Sequence, residues 1–76
     1  MADQELDARG LTCPLPVMRA AKIMLAMKAG QTLRVLANDP ATVIDFDAYA
    51  RGSGNALLES KKISEGEFEF LLKRAQ

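Results

Sequence analysis

The 76-residue chain has no histidine, no tryptophan and a single cysteine, Cys13. Each absence excludes something. Without histidine there is no Cys–His nucleophilic pair, and one chain lacks the ligands for a zinc site. One cysteine cannot form an internal disulfide, so no covalent staple holds the fold. Aromatics are few, three Phe and one Tyr, which speaks against a base-stacking nucleic-acid surface. Ten basic and ten acidic residues cancel, giving no general pull toward nucleic acid or an acidic membrane. No apolar run approaches the length needed to span a bilayer. Met1-Ala2-Asp3-Gln4-Glu5 is acidic and polar, where a secretory leader is basic. With a lone free thiol, this fits a reducing cytoplasm. What the chain does have is apolar residues, 49% of the total. That is enough for a core, although a chain this small is marginal.

The chemistry-bearing stretch is Leu11-Thr12-Cys13-Pro14-Leu15-Pro16. Prolines two apart are unwelcome inside a helix but tolerated in its first turn, where the N–H groups have no intrahelical partner. Pro14 is therefore predicted as the first helical residue and Cys13 as its N-cap. The thiol then faces free N–H groups and the positive end of the helix dipole, a placement that favours thiolate and suits a small anion. The competing reading of any lone cysteine is a small buried hydrophobe.

Residues Gln4–Ala8 are too short to classify alone; as a strand they put Leu6 and Ala8 on one side. Asp7–Thr12 reads as a loop, with Gly10 permitting its turn. Pro14–Ala29 is helical, with Val17, Ala20, Ala21, Met24 and Met27 as its apolar stripe and Gly30 closing it. Methionines at this spacing are core filler rather than metal ligands. Thr32–Ala37 is a strand with Leu33 and Val35 on one face. Asp39 and Pro40 are predicted as N-cap and first residue of a second helix. It runs to about Arg51, with Val43, Phe46, Tyr49 and Ala50 on one side. Asp45 and Asp47 are two apart, so a helix turns them away from each other and a solvated face is expected. Asn55–Lys62 and Glu67–Lys73 are strands joined through Ile63–Gly66 as an antiparallel hairpin. The order is βαβαββ. The first βαβ unit makes its strands parallel, and two layers suffice for this length. In such a sheet the loop after the first strand, which holds Cys13, is a favoured binding place.

The run Leu6-Asp7-Ala8-Arg9-Gly10-Leu11-Thr12-Cys13-Pro14-Leu15-Pro16-Val17 resembles the signature of the TusA (SirA-like) sulfur-carrier family: an Asp, a Gly three residues on, then Cys-Pro-x-Pro. The likeness continues through Lys28-Ala29-Gly30, Asn38-Asp39-Pro40-Ala41-Thr42 and Phe68-Glu69-Phe70. The resemblance implies a single domain over 1–76, an α/β (α+β) two-layer sandwich with a four-stranded mixed sheet and both helices on one face. It implies a sulfurtransferase whose Cys13 carries sulfane sulfur as a persulfide, with no cofactor beyond that covalent sulfur and no metal. Its donors would be a cysteine desulfurase or a rhodanese, and its acceptor a DsrE-like or other sulfur-relay protein, in tRNA thiolation or in sulfur oxidation. Direct contact with nucleic acid or membrane is not expected. Some members have a second cysteine where Ala50 stands here and a histidine where Asn55 stands; their absence argues against an intramolecular disulfide step.

The chemistry suits the residues. Sulfur transfer is thiolate attack on a sulfane sulfur with a thiolate leaving, and needs no histidine if the thiol is partly ionised. Arg9 is expected close enough to add positive charge. Pro14 and Pro16 hold the first turn, Gly10 is conformational, and Asp7 is expected to bond loop N–H groups rather than act as a base. Two other readings use the same residues: a binding or regulatory module with a structural Cys13, and a redox sensor in which an acidic Cys13 is capped by a second thiol.

Overall fold

Alternation decides which face of each strand is buried. In the computed structural model, which describes residues 2–76, the elements are β1 (Gln4–Asp7), α1 (Leu15–Leu25), β2 (Thr32–Ala37), α2 (Thr42–Ser53), β3 (Ala56–Ser64) and β4 (Glu67–Lys73). The four strands form one mixed sheet in the order β1-β2-β4-β3. β1 runs parallel to β2, as a βαβ crossover requires, and β4 pairs antiparallel with both β2 and β3. Leu33, Val35 and Ala37 of β2 stand opposite Leu72, Phe70 and Phe68 of β4. This face carries the core, which Ala20, Met24 and Met27 complete from the first helical segment and Phe46 from α2. The two helices therefore share one sheet face.

The other face is open and charged. Arg34 and Lys61 both pair with Glu69, at 3.2 and 3.3 Å, and Lys61 also reaches Glu59 at 3.7 Å. Glu69 is 8% exposed, so its charge is tolerated because two cations flank it. Leu36 and Leu71 lie half-buried among these charges.

Several boundaries differ from those the sequence predicts. α1 ends at Leu25, four residues before Ala29. Ala26 and Met27 donate to the carbonyls three residues back (3.1 Å each), which tightens and ends the helix. Gly30, at φ +87°, then donates its N–H to Arg74 O at 2.8 Å. Met27 stays buried because this turn folds back on the core. α2 starts at Thr42, not Pro40, and ends at Ser53 with Gly54 as a left-handed cap. Thr42 and Phe46 are its buried residues. Val43, expected beside Phe46, is 38% exposed, because the later start leaves Thr42 as the inward residue of the first turn. β3 extends to Ser64, so the hairpin turns at Glu65–Gly66 rather than through Ile63–Gly66. Gly66, at φ +73°, supplies the left-handed residue so short a turn needs.

Candidate functional site

Parallel pairing of β1 with β2 brings their carboxyl ends side by side. The loop after β1 (8–14) therefore meets the loop after β2 (38–41). Two hydrogen bonds join them. Gly10 N–H donates to Asn38 Oδ1 at 2.9 Å, and Cys13 N–H donates to Asp39 Oδ2 at 2.8 Å. The other oxygen, Asp39 Oδ1, accepts Ala41 N–H at 3.0 Å, while Asp39 O accepts the Thr42 hydroxyl at 2.6 Å. One carboxylate thus fixes the approach to α2 and the backbone of Cys13 together. These two N–H donors hold the Asp39 carboxyl below the usual carboxylate range.

Cys13 lies in a turn closed by Leu15 N–H donating to Thr12 O at 2.8 Å, and its side chain is exposed. The Cys13–Pro14 peptide bond is cis. Pro14, not Cys13, is the N-cap of α1: its carbonyl accepts the N–H of Met18 at 3.1 Å, the first intrahelical bond. Pro16 sits buried in the first turn. The thiol is thus one residue farther from the helix dipole than predicted, and the N–H of Cys13 is spent on Asp39. The expected stabilisation of the thiolate is therefore not what the surroundings give. The Asp45 carboxylate, then desolvation and the charge of Asp39, push the Cys13 thiol up from its ordinary value. A carboxylate next to a thiolate would put two anions together and lose the S–H as a donor.

The Asp45 reading from sequence is corrected as well. Asp45 stands in the first turn of α2, and its Oδ2 is buried with no hydrogen-bond partner. Asp47, two residues on, is the exposed partner of Arg51. The helical turn that separates the two carboxylates is what sends one inward. Asn38 and Asp45 carried no chemical signal in the sequence. The parallel βαβ topology was the available clue, since it brings everything just after β2 up to Cys13.

The remaining candidates hold the loop. Asp7 Oδ1 accepts both the backbone N–H and the Nε–H of Arg9, at 3.1 and 2.9 Å, and Oδ2 accepts from Nη2 at 2.9 Å. The Arg9 guanidinium and N–H bring the Asp7 pKa down to about 2. Arg9, expected to lend positive charge to Cys13, is engaged by Asp7 and Glu67 instead, at 2.9 and 3.8 Å. Gly10 is at φ +88°, a conformation that resists a side chain. Around the site, Leu15 and Met18 on α1 and Ile44 on α2 are exposed apolar residues.

Asp39 makes a testable contribution. Its folded pKa lies below its ordinary 3.8, so the stability it gives is present above that value and is lost as pH falls below about 4. Asp39→Ala is expected to lower the urea midpoint at pH 7 and to flatten its fall between pH 5 and pH 3. A pH profile identical to wild type would show that the two N–H bonds contribute nothing to the fold.

The family description "Sulfurtransferase TusA" matches residues 4–74. Sulfur carrier protein TusA of Allochromatium vinosum is 56% identical over 73 residues, which cover 96% of this chain and 95% of that protein. The crystal structure of a SirA-like protein from Desulfitobacterium hafniense superposes with a TM-score of 0.83 at 27% identity, covering 96% of this chain and 99% of that one. Matched span, identity and fold agree, and the chain belongs to the TusA family.

Proposed function

We propose that the protein is a sulfurtransferase that carries one sulfane sulfur as a persulfide on Cys13, residues 1–76 acting as one carrier domain. The observation that supports this most is the exposed thiol of Cys13 on a turn pinned by its own N–H to Asp39. A carrier must present its sulfur to two different proteins in turn, so the sulfur must be accessible and its backbone fixed. Asp7, Arg9, Gly10, Pro14 and Pro16 hold that turn, and none of them touches the sulfur as an acid or base. In loading, Cys13 Sγ attacks the terminal sulfur of a donor persulfide. The donor S–S bond breaks, its electron pair leaves on the donor thiolate, and a new S–S bond forms on Cys13. The reverse sequence on an acceptor thiol unloads it. No cofactor or metal enters, because the sulfur moves without net oxidation.

The donor is a cysteine desulfurase or a rhodanese, and the acceptor a DsrE-like or other relay protein, in the cytoplasm. Exposed Leu15, Met18 and Ile44 give such partners an apolar surface around the thiol. No helix among the described residues is long and apolar enough to cross a membrane.

The test is intact-protein mass spectrometry after incubation with a cysteine desulfurase and cysteine, and separately with a rhodanese and thiosulfate. The expected result is a gain of one sulfur atom, removed by reductant and blocked by prior alkylation of Cys13. Absence of the adduct with both donors would sink the carrier reading.

A further inference from the structure

We propose a second binding site, for a small organic anion with an apolar body, in the cleft between the far ends of the two helices, with Arg74 holding the anionic group. Arg74 carries a charge without a counter-charge. Arg9, Arg19, Arg34 and Arg51 are exposed, whereas Arg74 is half-buried. Even so, Arg9, Arg34 and Arg51 each pair with a carboxylate. Among the described residues Arg74 pairs with no side-chain carboxylate. Its hydrogen-bond partners are main-chain oxygens: Nη1 donates to Met24 O and Nε to Gln76 O. Of five guanidinium N–H groups these use two and leave three. A charge drawn out of water ordinarily has a counter-charge. Nor is its place an accident of a loose chain end. Alternation puts Arg74 on the helix side of the sheet, two residues after Leu72. Its N–H donates to Gln31 O at 2.9 Å and its carbonyl accepts Gly30 N–H at 2.8 Å.

The guanidinium lines a cleft of about 470 Å³, a size typical of small-molecule sites. Ala21 and Leu25 of α1 and Tyr49 of α2 give it apolar walls, and Ser53, Asn55 and Arg74 its polar groups. Leu25 is 76% exposed, and an apolar guest in the cleft takes part of it out of water. The Asn55 amide is already spent. Its Nδ2 donates to Tyr49 Oη at 3.0 Å and its Oδ1 accepts Ala75 N–H at 2.9 Å. Tyr49 Oη in turn donates to Met24 Sδ at 3.6 Å. Ser53 Oγ accepts Asn55 N–H at 3.1 Å and keeps its own proton to donate. The capacity left in the cleft is thus donors: three N–H of Arg74 and the hydroxyl of Ser53. No Asp or Glu is among the described residues that line it. An anionic oxygen matches these donors with charge-assisted bonds, and a cation is repelled. The cleft is also separate from the thiol. α1 spans 11 residues, about 16 Å at 1.5 Å per residue. Cys13 precedes its first turn and Leu25 closes its last, so the site does not depend on what Cys13 carries.

The test titrates 3-phenylpropionate, and 3-phenylpropionamide as its neutral match, into the full chain and follows the backbone amides by NMR. The acid is expected to saturate with a Kd on the order of 1 mM, as a ligand of this size allows. It should shift the amides of Leu25, Tyr49, Gly54, Asn55 and Arg74 and leave that of Cys13 unmoved. The neutral amide is expected to bind at least about tenfold more weakly, the worth of a hydrogen bond to a charged group. Arg74→Gln should lower the affinity for the acid to that for the amide, and Arg74→Lys should keep part of the preference. Ser53→Trp leaves Arg74 in place and is expected to fill the cleft and stop both probes from binding. Ser53 is exposed, so this variant keeps a native spectrum. Should Arg74→Gln lose its native spectrum with the bond to Met24 O, Ser53→Trp decides alone. Equal affinity for acid and amide overturns the proposal. So do shifts that scatter over the surface without saturating, wild-type binding of the acid by Arg74→Gln, or wild-type binding by Ser53→Trp.

Discussion

Phe70→Ala is expected to leave most of the protein unfolded at 37 °C. Removing a fully buried phenylalanine costs about 3–5 kcal/mol, the lost transfer energy plus the cavity left behind. Natural domains have about 5–15 kcal/mol in total, and the smallest sit at the low end. Phe70 has no exposed surface and lies on β4, an inner strand hydrogen-bonded on both sides. Its ring stacks on Phe46, centroids 4.6 Å apart and planes 30° from parallel. Phe46 is the large buried side chain of α2, the other inward residue being Thr42. The aromatic pair is therefore what fastens α2 to the sheet, and with α2 come Asp39 and Asp45. With one cysteine in the chain, no internal disulfide offsets the loss. Urea denaturation followed by circular dichroism would measure it, with Phe70→Leu as the control that keeps most of the volume and should recover most of the stability. A loss under about 1 kcal/mol for Phe70→Ala would mean that neighbouring side chains refill the space.

The fold was legible where the pattern was periodic. Leu33 and Val35, and Phe68, Phe70 and Leu72, alternate cleanly, and they form the paired centre of the sheet. The order βαβαββ then fixed a mixed sheet, because the first crossover demands a parallel pair and the last short turn an antiparallel one. The ends of elements were less legible. Nothing local distinguishes Ala26-Met27-Lys28 from a continuing helix; the chain leaves α1 there because Gly30 and Gln31 must reach Arg74 beside the end of β4. Val43 gives way to Thr42 as the inward residue of the first turn of α2, and the threonine is buried without penalty because its hydroxyl bonds the carbonyl of Asp39.

At the site, the position of Cys13 was legible and its electrostatics were not. A thiol near a helix start argues for thiolate when the start is all that is known. The acidic residues that act on it come from the loop before the second helix and from its first turn, 26 and 32 residues away in sequence. Neither Asp39 nor Asp45 has a motif that announces this. Asp39 looks like an ordinary N-cap, which in part it is, since it binds Ala41 N–H. Asp45 looks like a solvated helix acid, which its neighbour Asp47 is. Only the register of two loops at one end of a parallel pair tells them apart.

Cys13→Ser is expected to abolish sulfur gain altogether while leaving the unfolding midpoint where it is in wild type. The two halves of this expectation have separate reasons. The structural bonds of the turn are backbone bonds: Cys13 N–H to Asp39 and Leu15 N–H to Thr12 O. A serine makes both, and its exposed side chain leaves no cavity. The chemistry fails because the nucleophile must be a polarizable sulfur that can form and later break a bond to a second sulfur; a hydroxyl there has neither the acidity nor the affinity for sulfane sulfur. The same substitution separates the readings still in competition. If Cys13 were structural, the midpoint would fall and the partners would still be bound. If Cys13 is the carrier atom, the protein folds as before, docks its donor and gains no mass. With no second cysteine in the chain, any sulfur that remained on Cys13→Ser would have to sit on a residue with no known chemistry for it. A single mass spectrum beside a single melting curve therefore decides whether this thiol is there for the fold or for the sulfur.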